Sequence, residues 1–459
     1  MSTYDDFIAG KSKMFAGHAV PRALDDGAKL FPFQRDIAEW ALARGRAAIF
    51  ADTGLGKSRM QLLWASCIPG DVLILAPLSV AKQTAREGAE IGVHVTVCRE
   101  SSDVKPGINI TNYERLHKFD ASRFAGVVLD ESSCIKNYTS KTLTLLMEAF
   151  QKTPWKLCAT ATPSPNDYTE LGTHAEFLGV CSRVEMLAEF FVHDLVKTQD
   201  WRLKGHARNK FWQWVSTWGC MVRKPSDLGY SDDAYNLPPL NTQFHIVDVD
   251  IKDAWKVGQL FATEAAGLMD RRSARKASLD KRVAECAAMV NADKDEPWIV
   301  WCEYNDESTM LIKAIHGAVE ITGSQDIETK EERLDDFSAG KTRVLVSKSS
   351  ISGFGLNWQH CARVAFVGVT DSYESYYQAV RRCWRFGQKR PVDVHLFASE
   401  AEGAVARNMD RKGKAADSMA EDMREFVAQS VKTRGAILRS VNEYKPQNSM
   451  AIPSWLVNS

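Results

Sequence analysis

The chain has 459 residues, 45% hydrophobic and 25% charged, enough for two to four separately buried cores and ordinary for a globular protein. Basic and acidic residues balance at 58 each, so any nucleic-acid site has to be built from local patches rather than from a global positive field. No apolar run approaches the roughly 20 residues of a membrane span, the opening MSTYDDFIAG lacks the apolar stretch of a secretion signal, and the ten cysteines stand singly without a Cys-x-x-Cys pair. These features point away from membrane, secreted and zinc-ribbon classes and toward a cytoplasmic chain with reduced, mostly buried thiols.

In chain order, short apolar runs ending in small or acidic residues come first: Ala47 to Ala51, Val72 to Ala76, Val127 to Asp130 and Lys156 to Thr160. They read as buried parallel strands, with helix-length segments at Ser79 to Glu90 and Ser140 to Gln151 between them. The same rhythm returns at Trp298 to Tyr304, Arg343 to Ser347, Arg363 to Gly368 and Val392 to Phe397. Strand and helix alternation predicts an α/β fold of two doubly wound parallel-sheet lobes with helical insertions. We expect a first lobe over residues 1–180, a helical outgrowth and linker over 181–294, a second lobe over 295–400 and a helical segment and tail over 401–459. The tryptophans of FWQWVSTW are at helical spacing and read as core packing.

The first strand runs through ADTGLGKS into a helix-length segment, placing Thr53, Gly54, Leu55, Gly56, Lys57 and Ser58 at a helix N-terminus. Glycines let backbone N–H groups approach phosphate oxygens, Lys57 reaches the β and γ phosphates, and the Ser58 hydroxyl can ligand Mg²⁺. Asp130 and Glu131 end a buried strand of the same sheet. Alone, such a pair reads as a solvated strand end. Beside a phosphate cradle, Asp130 can hold Mg²⁺ and Glu131 can orient and deprotonate an attacking water. Thr160, Ala161 and Thr162 follow another core strand, where hydroxyls can relay the state of the γ-phosphate to the second lobe. Arg382 and Arg385 are three apart on an expected helix and share a face. They read either as a solvated or DNA-contacting basic face or as cations that neutralise transition-state charge, and the preceding motifs favour the second reading.

The ordered set FPFQRDIAEWA, ADTGLGKS, LAPLSV, ITNYERL, VVLDESSCIKN, ATATPSPN, SGFGLNW and QAVRRCWRFGQ, over about residues 25–400, resembles the helicase motifs of superfamily two. Within it, DESSCIKN, TPSPN, GFGLN and the Gln-Ala-x-x-Arg-x-x-Arg-x-Gly-Gln run are similar to Snf-type DNA translocases, in a minimal form of the sort phages and bacteria encode. The resemblance implies two RecA-like lobes and an ATPase using ATP and Mg²⁺. It implies that Gln34 reads adenine, Gly355 faces the nucleotide between the lobes, and Thr160, Ala161, Thr162, Asn357 and Gln378 couple them. It makes Lys57, Asp130, Glu131, Arg382 and Arg385 the catalytic set. Ala51 stands where the general phosphate loop has Gly, Ser352 where the family has Gly, Trp384 where it has His, and Ser132-Ser133 where Ala-His is common; altered coupling or adenine contacts are expected from these.

Pro77, Ser79 and Thr111, with Ser347 and Lys348 in the second lobe, occupy positions where the family's backbone groups and hydroxyls touch phosphates. Basic clusters at Arg202, Lys204, Arg208 and Lys210, at Arg271, Arg272, Arg275 and Lys276, and at Lys389 with Arg390 read as solvated faces or as walls of one groove. The implied partner is nucleic acid, double-stranded DNA foremost, with a protein removed from or recruited to DNA as a further one, no membrane, and a monomeric chain in a bacterial or phage-infected cell. A strand-separating DNA or RNA helicase and an ATP-gated DNA-binding or displacement module are the alternatives.

Overall fold

Fifteen strands and the helices between them account for most of the described residues of the computed structural model. These are residues 19–432 without 23, 25–26, 28–29, 78–79, 138, 165–166, 194–200, 248–275, 277, 350–356, 369–371 and 400–402. The basic residues Arg271, Arg272 and Arg275, Ser352 and the tail from Tyr444 therefore lie outside the described residues.

The first half holds β1 (Arg46–Ala51), β2 (Val72–Ala76), β3 (Val95–Val97), β4 (Ile108–Asn112), β5 (Gly126–Asp130) and β6 (Trp155–Ala159). After them come an antiparallel ribbon of β7 (Phe191–His193) and β8 (Trp201–Leu203), then β9 (Gly219–Val222). Seven of these form a parallel sheet in the order β3-β4-β2-β5-β6-β1-β9. β2 and β5 are buried along their whole length, as strands covered by helices on both faces must be. The second half holds β10 (Leu240–Val247), β11 (Trp298–Cys302), β12 (Ala318–Ile321), β13 (Val344–Lys348), β14 (Arg363–Val367) and β15 (Val392–Ser399), ordered β10-β15-β14-β11-β13-β12. Alternate residues of β11 serve opposite faces: Ile299 and Trp301 enter one core, Trp298, Val300 and Cys302 the other. The fold is thus α/β, with two RecA-like lobes.

Among the described residues of 181–294, two strands join the sheets of the lobes on either side. β9 joins the first sheet beside β1, pairing Ile49 with Cys220, and β10 joins the second beside β15, pairing Phe244 with Leu396. Both are short or polar-alternating strands whose identity depends on an available sheet edge, which local patterning does not reveal. Trp212 and Trp218 are buried in the first core, in keeping with the packing reading. The C-terminal helix Gly403–Lys432 leaves the second lobe and returns to the first. Met419, Met423, Val427 and Val431, each four residues on, enter the first lobe's core as one stripe, and Ser430 accepts from the Trp40 indole at 3.0 Å. Burying those four side chains contributes roughly 1.5–3 kcal/mol each as an upper bound.

Candidate nucleotide site between the lobes

Adjacency of β5, β6 and β1 decides the site. In a parallel sheet the chain leaves neighbouring strands at one edge, so the loop after β1, the acids after β5 and the threonines after β6 converge there. The loop turns through Gly54 at φ +93° and Gly56 at φ +80°, left-handed values that L side chains rarely adopt. Space around both is tight as well. A Cβ on Gly56 would stand 2.3 Å from Gln34 Nε2, and one on Gly54 would stand 3.0 Å from the backbone nitrogen of Phe386 in the second lobe. The helix Lys57–Ser66 begins directly after Gly56.

Lys57 Nζ donates to the Ala51 carbonyl at 3.0 Å. Burial pulls its pKa below the ordinary lysine value, against the attraction of Glu131, Asp52 and Asp130. Asp130 accepts from Gln61 Nε2 at 2.7 Å, yet burial and the neighbouring Glu131 push its carboxyl up to about 6. Glu131 is the one described non-glycine residue at positive φ, +52°, a costly conformation; its carboxylate accepts from Thr160 Oγ1 at 3.2 Å. Thr160 in turn accepts from the Thr162 backbone N–H at 3.1 Å.

Arg382 and Arg385 come from the other lobe and line the same cleft, of about 340 Å³, as Lys57, Ser58, Asp130 and Glu131. The expected shared helix is absent: the helix Tyr373–Val380 ends before them, and both arginines sit in the turns that follow. Their common direction comes from tertiary packing, with Gln388 Nε2 tying the Cys383 carbonyl at 3.2 Å to those of Gln359 and Cys361. Burial lowers Arg382 to about 9, with Arg385 adding repulsion against the pull of Glu131. Burial likewise lowers Arg385 to about 10. Two desolvated guanidinium groups side by side form a positive wall that an anion between the lobes would relieve.

Gln34 is buried at the mouth of this cleft. Its Nε2 donates to the Leu55 carbonyl at 2.9 Å and to the Tyr235 hydroxyl at 3.3 Å, and its Oε1 accepts from the Phe31 N–H at 3.0 Å. Tyr235 and Phe386 face each other there with centroids 4.8 Å apart, and Phe31 lies edge-on to Tyr235 at 5.5 Å. Thr53 lines the cleft, while Leu55 is buried beneath it. Sequence reading missed these rings; Tyr235 precedes the Pro-Pro break and Phe386 sits between Arg385 and Gly387, the only local signal they carry.

A second inter-lobe cleft, of about 570 Å³, is lined by Thr111, Lys82 and Arg86 from the first lobe and by Glu331, Asp335 and Asn357 from the second. Asn357 lines both clefts. The Thr111 hydroxyl is buried there without a hydrogen-bond partner. Pro77 lies just before the helix Ala81–Glu90; Ser79 and Gly355 lie outside the described residues. Ser347 is not at a surface: it is 1% exposed and donates to the Ile321 carbonyl at 3.1 Å, because it is the fourth residue of β13 and points into the sheet's neighbour. Lys348 ends β13, half-buried. Ala161 and Thr162 border a small cavity between the lobes, and Gln378 is buried with its Nε2 unpartnered.

The donors fit a magnesium nucleotide: a backbone cradle closed to side chains, a hydroxyl and a carboxylate on one wall, two arginines on the other. Among the described residues no group of three or more His, Cys, Asp or Glu side chains is placed to hold a metal by itself, and no helix is long and apolar enough to cross a membrane.

Residues 281–387 match the helicase conserved C-terminal domain, a stretch running from the helix Leu279–Ala292 through Arg382 and Arg385. The chain is 30% identical over 160 residues to the SWI/SNF-related matrix-associated actin-dependent regulator of chromatin subfamily A-like protein 1 of Xenopus tropicalis, covering 32% of this chain and 17% of that protein. It is 25% identical over 118 residues to the ATP-dependent RNA helicase FAL1 of Kluyveromyces lactis, covering 26% of this chain and 27% of that one. The chain therefore spans well under a third of the length of these relatives. The second lobe thus matches a helicase domain, and parts of the chain are similar to a SWI/SNF-related protein and to an RNA helicase.

Proposed function

We propose that the chain is an ATP-hydrolysing, nucleic-acid-dependent motor that translocates on double-stranded DNA. The observation carrying the ATPase part is the single cleft in which Lys57, Asp130 and Glu131 of one lobe face Arg382 and Arg385 of the other. The phosphate loop's N–H groups and Lys57 bind the triphosphate, Gln34 and the rings of Phe31, Tyr235 and Phe386 receive the base, and Ser58 and Asp130 are the residues that would hold magnesium. When bound, that ion supplies charge neutralisation at the phosphate oxygens. Glu131, held in its left-handed conformation and by Thr160, orients a water and takes its proton. Arg382 and Arg385 stabilise the charge that develops on the transferred phosphoryl group, which ties hydrolysis to closure of the lobes.

Duplex DNA as the track rests on the Snf-type motifs and on the SWI/SNF-related relative. The similarity to an RNA helicase favours a second reading, strand separation on RNA or DNA by the same engine. Steady-state ATPase assays with duplex DNA, single-stranded DNA and RNA in parallel, with Lys57→Ala as the blank, decide between them. Stimulation by duplex DNA is expected; stimulation by RNA alone overturns the DNA assignment, and nucleic-acid-independent turnover overturns the motor. Glu131→Gln is expected to retain ATP binding in equilibrium assays and to lose turnover.

A further inference from the structure

The helix Tyr373–Val380 leads straight into the arginines, and its two sides serve different lobes. Ala379 and Val380 are buried in the second lobe's core and Tyr376 packs against it, so the helix moves with that lobe. Glu374, Tyr377 and Arg381, three and four residues apart and hence on one face, instead reach the first lobe. At the N-terminal end Glu374 pairs with Lys136, in the loop after β5, and accepts from Thr162 Oγ1 at 3.3 Å, in the turn after β6. At the C-terminal end the Tyr377 hydroxyl and Arg381 Nη2 both donate to Asp52, the first residue of the phosphate loop after β1.

The loops after β1, β5 and β6 therefore all reach the same helix face. Arg381 is fixed on its own side as well. Its guanidinium lies 4.8 Å from the Trp384 ring centroid and 5.4 Å from that of Tyr377, and its Nη1 donates to the Trp384 carbonyl at 3.3 Å. Trp384 is anchored in turn on the Pro238 carbonyl at 2.7 Å, in the chain that connects the lobes. The ion pair is secluded, with side-chain exposures of 6% for Arg381 and 13% for Asp52, where a charge left without its partner is costly. A cavity of about 30 Å³ lies between the lobes here, bordered by Asp52, Thr162 and Tyr377 and also by the apolar Phe50, Met221 and Met419.

We infer that the Tyr373–Val380 helix is a two-point latch, Glu374 on Lys136 and Thr162 at one end and Arg381 with Tyr377 on Asp52 at the other. Glu374 and Arg381 are positioning residues: they set Arg382 and Arg385 at their place opposite Lys57 and Glu131, and they transmit movement of the phosphate-facing loops to the second lobe. The catalytic half of this inference rests on the ATPase reading; the latch itself does not.

The test uses the full chain with Asp52→Asn, Arg381→Met, Arg381→Lys and Glu374→Gln, each checked for wild-type circular dichroism. Misplacing reacting groups by about 1 Å costs up to roughly 100-fold. Arg381→Met and Asp52→Asn are therefore each expected to lower kcat by roughly 10- to 100-fold while moving the KM for ATP far less. Combined they should be no worse than either alone, and Arg381→Lys should recover part of kcat. Small-angle scattering without nucleotide supplies the second readout, in which the Glu374→Gln/Arg381→Met protein is expected to be more expanded than wild type. Losses that multiply in the Asp52/Arg381 double variant, or an unchanged radius of gyration after both ends are cut, overturn the latch. A wild-type protein without turnover whose latch variants still expand overturns the ATPase reading and leaves the latch standing.

Discussion

The two clefts between the lobes are built by the same pair of sheets and differ in almost every physical respect. In the smaller, Lys57, Asp130, Arg382 and Arg385 are charged groups withdrawn from water, and burial has moved the pKa of each. In the larger, opposite charges meet across an open gap. Lys82 pairs with Glu331, and Arg86 lies 3.9 Å from Asp335, with 70% and 62% of those two side chains exposed. Desolvated charge stores interaction energy for a ligand of matching charge, whereas solvated pairs exchange partners at little cost. One cleft is fitted to bind and react, the other to close and reopen. Two first-lobe cations of the larger cleft, Lys82 and Arg86, face second-lobe acids, so a phosphate backbone reaching them has to displace carboxylates.

The sharpest way to break this contrast is to remove a buried charge from the smaller cleft. Arg382→Ala is expected to lower kcat by about 10³-fold or more, read by steady-state ATPase with saturating ATP and nucleic acid. A loss of only severalfold would mean that the positive wall does not meet the reacting phosphate.

Acid should act on the same cleft next. Asp130 binds its proton up to about pH 6, so kcat/KM at low Mg²⁺ is expected to fall about tenfold per unit below that pH, and added Mg²⁺ should move the limb to lower pH. For stability the sign is reversed. The folded carboxyl keeps a proton that the unfolded chain has already released, so its contribution worsens as pH rises through about 4 to 6. Asp130→Asn should accordingly raise Tm at pH 7.5 in nucleotide-free protein while abolishing turnover.

Smaller effects belong to the larger cleft. Thr111→Val removes a buried hydroxyl that has no partner, so thermal denaturation should show a change from zero to about 1 kcal/mol in favour of the variant. Nucleic-acid affinity, measured by fluorescence anisotropy, should fall severalfold; unaltered affinity would take Thr111 out of the interface. Smallest of all, Glu331→Gln breaks an exposed pair and should change stability by less than about 1 kcal/mol. It should also tighten nucleic-acid binding and steepen its salt dependence, because Lys82 is released to a phosphate.

Legibility followed locality. The strands β1, β2, β5, β6, β11, β13, β14 and β15 are apolar runs bounded by turn residues, and all were readable within a residue or two. β4, with the sequence INITN, was not. Its Asn109 is buried only because Lys105 and Gly107 offer carbonyls to its side-chain amide at 2.8 and 3.1 Å. The helix inferred for Arg382 and Arg385 failed for a related reason: their segment leaves the helix after Val380 and is held by Gln388 and by contacts with the other lobe.

By itself the amino-acid order determined the two α/β lobes, the phosphate loop and the identity of the charged groups, because alternation of apolar runs, glycine at left-handed positions and acids at strand ends are local demands of backbone and solvent. Only the tertiary structure decided that β9 and β10 complete the sheets, that Met419 to Val431 return to the first core, and that Asp52 meets Arg381 across 329 residues of chain. Such pairings exist because folding brings compatible edges and charges together, and no periodicity within either segment encodes its partner.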